Sequence, residues 1–198
     1  MPNTYGSVAK VYIGTDEQNN VSNEDLITTV ANPLAMNMYV LGYDGNKNLV
    51  EVNTAIKENL KVYLGEYRML TDSINIRNAF IINIGVDFDI IPQPNYNANE
   101  VLVRSIQAIK DFFTIDNWQI NQPILYNDIY SLLNDVDGVQ SVAGVRIKNL
   151  NNTSLGYSNI AYDINEATKN RIVYPSYDPA IFEVKYPDKD IRGKIVTY

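Results

Sequence analysis

The sequence of 198 residues contains no cysteine and no histidine. Lacking cysteine, the chain has no disulfide staples, no thiolate metal ligands and no cysteine nucleophile. Lacking histidine, it has no route of its own to Ser–His–Asp catalysis, histidine zinc sites or histidine pH switches. Long apolar runs are missing too: none approaches the roughly 20 residues that span a bilayer. The start, Met1-Pro2-Asn3-Thr4-Tyr5-Gly6, has neither the basic region nor the apolar core of a signal peptide. No membrane partner is therefore expected. Cations are scarce, with 16 Lys and Arg against 23 Asp and Glu and a net charge of -7. Displacing counterions from nucleic acid takes a clustered basic footprint, and the sequence shows none, so no nucleic-acid partner is expected. There is no Gly-rich phosphate loop either.

What is present points to an ordinary globular chain, with 45% hydrophobic residues. The clearest stretch is Phe80 to Ile90. Phe80, Ile82, Ile84, Val86, Phe88 and Ile90 alternate with Asn83, Gly85, Asp87 and Asp89, which makes a strand with one buried and one wetter face. Pro92 and Pro94 end it, because neither can donate to a ladder. Asn97, three residues before Glu100, then caps a helix whose apolar stripe is Leu102, Ile106, Ile109 and Phe113. Asn127 is the expected cap of a shorter helix burying Ile129, Leu132, Leu133 and Val136, stopped by Gly138. Val139 to Lys148 reads as another strand, with Val145 and Ile147 opposed to Arg146 and Lys148.

Before this unit, strands are expected at Val8 to Ile13 and Met36 to Tyr43. A helix capped by Asn53 follows, with Ile56, Leu60, Tyr63, Leu64 and Tyr67 at helical spacing. Leu26, Ile27 and Val30 could form a short helix. Arg68 to Asn78 reads as a link, with Leu70-Thr71-Asp72 capping a further turn. From Asn149 to Asn159 the composition turns to Asn, Ser and Gly, and beyond it lie short strand-like pieces at Ile172 to Tyr174 and Ile181 to Tyr186. The expected fold is α+β: a mixed or antiparallel sheet with amphipathic helices packed on one face, plus an irregular, β-containing C-terminal tail. Residues 1–150 would be the core domain (strand-helix-strand-helix-helix-strand). Residues 151–198 would be an extension packing on that core or on a partner chain.

Asp87 and Asp89 are the best carboxylate pair, roughly 7 Å apart from twice the strand rise, a spacing that overlaps glycosidase geometry. They lie opposite the apolar face, where solvation leaves nothing to split their titration. Asp44, Asn46 and Asn48 imitate the start of a calcium loop but are followed by Leu49 and Ala55 where glycine and glutamate belong. Asn134-Asp135-Val136-Asp137-Gly138 fails at Leu133. The expectation is therefore a protein with no catalytic residues, no metal and no cofactor. The abundant tyrosine, 15 residues, suits half-wet interfaces. Tyr174, Tyr177, Tyr186 and Tyr198 in the thin tail are the ones that lean that way. A glycan-cleaving enzyme using Asp87 and Asp89, or a receptor-binding module whose Tyr and Asn grip sugar, are the alternatives.

Several stretches, in order, carry a resemblance. Phe80-Ile81-Ile82-Asn83-Ile84-Gly85-Val86, Pro94-Asn95-Tyr96-Asn97-Ala98-Asn99-Glu100-Val101 and Trp118-Gln119-Ile120-Asn121-Gln122-Pro123-Ile124 resemble the C-terminal region of the baseplate wedge protein of contractile-tailed bacteriophages, which is related to the J-like baseplate family. Gly138-Val139 matches that family's following Gly-Val strand. Asp178 to Gly193 looks like its C-terminal end, and Pro2 to Lys10 like an internal segment. The resemblance implies a non-enzymatic building block of the virion's tail baseplate, made in the host cytoplasm. It would form a dimer, link wedges into a ring around the tail hub, and dock other baseplate wedge proteins. The interface candidates are the connector, Trp118, Ile120 and Pro123, and the tail, Tyr174, Tyr177, Phe182 and Tyr186. Trp118 could equally cover the end of its own preceding helix.

Overall fold

A computed structural model describes residues 8–15, 35–67, 73–176 and 178–196. The helix expected around Leu26, Ile27 and Val30, the turn at Leu70-Thr71-Asp72, and Tyr177 and Tyr198 lie outside these residues. The chain is α+β. It divides into two compact units, Met1–Phe80 with Ser176–Ala180, and Ile81–Pro175 with Ile181–Tyr198. The division does not fall at residue 150, because strands from the tail complete the sheet of the second unit.

In the first unit, β1 (Lys10–Thr15), β2 (Ala35–Tyr43), β3 (Leu49–Val50) and β4 (Ser73–Asn78) form a mixed sheet around β2. β1 and β3 run antiparallel to β2, whereas β4 runs parallel to it. A parallel neighbour requires a crossover, and α1 (Thr54–Gly65) lies in that connection. Asn53 caps α1 by accepting from the Ile56 amide at 2.9 Å, and Leu60 reaches a core of Met38, Val40 and Val52. The strand at Ser73–Asn78 replaces the link expected there. Its alternating Ile74 and Ile76 pack against the same core. The turn after β2 uses Asp44 internally: its Oδ1 accepts from the Asn46 and Asn48 amides, both at 2.8 Å.

The second unit is built on β5 (Phe80–Pro92). Running antiparallel to it is β7 (Val139–Asn149), with register shifts after Asp89 and Ile91. β11 (Ile191–Ile195) runs parallel to it, and β10 (Ala180–Glu183) also pairs with it. α2 (Ala98–Phe112) packs on β11, α3 (Tyr126–Asn134) on β7, and the two helices on each other. Ile82, Ile84, Val86, Phe88 and Ile90 are wholly buried. Beyond these, β6 (Ile124–Leu125), β9 (Ile172–Val173) and β8 (Thr168–Lys169) make a small antiparallel sheet. Two single-turn helices, α4 (Ile164–Ala167) and α5 (Pro187–Asp190), complete the unit.

Two helical details differ from the sequence reading. The buried line of α2 is Val101, Ser105 and Ile109, with Leu102 and Ile106 flanking it. Ser105 lies at its centre because its hydroxyl donates to the Val101 carbonyl at 2.9 Å, so it is buried without an unmet group. α3 begins at Tyr126 rather than after an Asn127 cap, and no side chain caps it. The orphan Tyr126 amide instead donates to the Arg171 carbonyl at 3.0 Å. Gly138 ends the helical segment at φ +93°, as a residue without Cβ can.

Helix and sheet come close at Gly193. An added Cβ there would lie 2.5 Å from Leu102 Cδ1 and 2.7 Å from Phe88 Cζ. At Gly144 the nearest atom would be 3.7 Å away. Gly193→Ala is therefore expected to destabilise the second unit by about 1–3 kcal/mol in urea unfolding, and Gly144→Ala by well under about 1 kcal/mol. Equal effects would mean that α2 does not press on the sheet here.

Candidate functional site

The face of the β5 sheet turned away from α2 and α3 carries charge. Arg146 of β7 and Arg192 of β11 stand opposite Asp87, and Lys194 of β11 stands opposite Asp89. Lys148 stands opposite Gly85. The ion pairs run diagonally. Lys148 Nζ lies 2.8 Å from Asp87 Oδ2, and the Arg146 guanidinium grips both oxygens of Asp89 at 2.8 and 3.2 Å. This bidentate hydrogen bond, with the attraction of Arg146 and Lys194 behind it, holds the Asp89 carboxyl below its ordinary range and outweighs the opposing effect of partial burial. The same bond pushes Arg146 up. Asp89 is thus kept ionised, the reverse of what a general acid requires.

Towards Asn83 the same face is closed. Asn83 is buried, and its amide nitrogen donates to Glu183 Oε2 at 2.7 Å while its Oδ1 accepts from the Ser158 amide at 2.7 Å. Gly85 is covered as well: a Cβ there would stand 3.0 Å from Lys148 Cε and 3.2 Å from the Asp190 carbonyl. Asp190, also buried, accepts from the Tyr157 hydroxyl at 2.5 Å and from the Tyr186 amide at 2.9 Å. Burial first, and the Asp190 hydrogen bond second, push the Tyr157 hydroxyl far up. The face is therefore closed by tail residues at one end and open and charged at the other.

Two shallow clefts lie in this unit, the first against β7. One, of about 520 Å³, is lined by residues including Lys148, Asn149, Tyr162, Asp163 and Asn165. The other, of about 320 Å³, is lined by Tyr126, Tyr130, Asn165, Thr168 and Arg171. Asn170 and Arg171 both have positive φ, 53° and 62°, in the two-residue turn between β8 and β9. That turn places the Arg171 guanidinium 6.0 Å from the centre of the Tyr130 ring. Among the described residues no group of three acidic side chains is gathered as a metal site.

The interface candidates divide. Trp118 is 3% exposed: its Nε1–H donates to the Phe112 carbonyl at 3.0 Å, and its ring stacks on Phe113 at 5.3 Å. It covers the end of its own helix. Ile120 and Phe182 are buried in the same unit, Phe182 edge-on to Tyr162. These three side chains spend their apolar surface inside the chain and offer none to a partner. Pro123 is half-buried, while Tyr174 and Tyr186 are exposed. Arg192 and Lys194 were missed by the sequence reading, although Ile191-Arg192-Gly193-Lys194-Ile195 alternates with period two. No protein-family model matches the chain, and no curated protein matches it.

Tyr157→Phe leaves a buried Asp190 oxygen short of a donor, with an expected loss of about 1–3 kcal/mol in urea unfolding. An unchanged midpoint would show that water replaces the phenol. The lowered Asp89 pKa gives a pH dependence. Its stabilisation is complete above the ordinary value of 3.8 and is lost as pH falls below it through the folded value. Asp89→Asn is expected to flatten this acid limb of a thermal-stability profile, and an unchanged limb would contradict the pairing.

Proposed function

We propose that this protein is a non-enzymatic structural component of a phage tail baseplate wedge. It acts by self-association, as a dimer and in a ring around the tail hub, and by docking other wedge proteins in the virion. The observation that carries this reading is where the resembling stretches lie. Phe80 to Val86 opens β5, Pro94 to Val101 leads into α2, Trp118 to Ile124 joins α2 to α3, and Asp178 to Gly193 contains β10, α5 and most of β11. Apart from Pro2 to Lys10, Phe80 and the first residues of the tail stretch, all belong to the second unit. The likeness is therefore concentrated in one folded body. Exposed Tyr174 and Tyr186, at 45% and 37%, give that body aromatic surface for a partner.

A glycan-cleaving role for Asp87 and Asp89 is disfavoured by their ion pairs with Lys148 and Arg146 on an open face. A sugar-gripping receptor module has one observation in its favour, the cleft that gathers Tyr126, Tyr130 and Asn165. Sedimentation equilibrium over a wide concentration range separates these readings. The structural role expects reversible self-association. A strictly monomeric chain that binds immobilised glycans would replace it with the receptor reading.

A further inference from the structure

The second unit is electrically two-sided. On the open sheet face, four cations, Arg146, Lys148, Arg192 and Lys194, surround Asp87 and Asp89. Both carboxylates are committed to β7 cations. Arg192 and Lys194 are exposed and form no ion pair among the described residues, although the Arg192 Nε–H donates to the Lys189 carbonyl. This is excess positive charge on a chain whose net charge is -7.

The stretch around α3, on the other side, carries acids with no cation of its own. No Lys or Arg occurs between Thr114 and Val145, whereas Asp128, Asp135 and Asp137 occur there and are exposed. None of the three forms an ion pair among the described residues. Asp135 is the C-cap of α3 and Asp137 lies just beyond it. That is the negative end of the helix dipole, where a carboxylate is disfavoured. Among the described residues neither acid has an ion-pair partner, and both lie at the end of a helix packed on the sheet face away from Arg192 and Lys194.

We propose that the open sheet face of one copy, through Arg192 and Lys194, docks on the Asp135–Asp137 end of α3 in a second copy. Because the two patches lie on opposite sides of the unit, one twofold contact cannot use both. The contact is head-to-tail, and its repetition builds a ring or a chain. This rests on the self-association reading and gives it a polarity.

The test is sedimentation velocity of the full chain with two charge-neutralising variants, R192Q/K194Q and D135N/D137N. Each is expected to weaken self-association about tenfold, as is raising the salt from about 0.05 M to about 0.5 M with the wild type. D135N/D137N should also raise the Tm by roughly 2 °C by relieving the helix end, which separates lost docking from lost folding. An equimolar mixture of the two variants retains one good contact, so it is expected to form a pair of one of each and to grow no further. Variants that assemble as the wild type does would overturn the proposal and leave the self-association reading standing. A mixture that forms no pair would also overturn it. A wild type that stays monomeric at every concentration would remove the self-association reading itself.

Discussion

From Ile82 to Val86, β5 is buried on both faces, and beyond Asp87 it is buried on one. A strand covered on both sides must satisfy any polar side chain it holds from within. That constraint falls on Asn83, which meets it with Glu183 and the Ser158 amide. It also falls on Gly85, where the Asp190 backbone and the Lys148 stem would have to give way to a larger residue. The tail thus supplies part of the second cover of β5 as well as two further strands of its sheet. Where this cover stops, Asp87 and Asp89 meet solvent and are held by cations from β7.

The helical side is governed by close approach. Gly193 lets α2 come down on β11, and Gly138 lets the end of α3 turn between Val101 and Tyr96. Trp118 closes the end of α2 with a hydrogen bond and a stacked ring. The tryptophan of the connector is thereby spent on its own helix. Surface remains available elsewhere, on Tyr174, on Tyr186 and on the charged sheet face.

The parts legible in the sequence are those with a long period. β5, β7, α1 and α2 each repeat their pattern for ten residues or so, enough to outlast local noise. β4 and β11 are five or six residues long. In β4 a polar setting obscures the pattern, and in β11 Gly193 interrupts the apolar side. The common face of Asp87 and Asp89 was legible from parity alone. Their diagonal partners were not, since that needs the register of β7, which shifts beside Asp89. The start of α3 was misread because its donor is met by a backbone carbonyl from a hairpin some forty-five residues away, and no local sequence rule carries that information.

These observations describe a unit whose reactive-looking carboxylates are tied up and whose unspent chemistry is charge and aromatic surface. Amide hydrogen exchange of the full chain, at low and at high protein concentration, tests this most directly. Ile82 to Val86 should exchange slowest at both concentrations, and added protection at high concentration should fall on β11 and the end of α3. Fast exchange at Ile82 to Val86, or concentration-dependent protection that spares both β11 and α3, would contradict it.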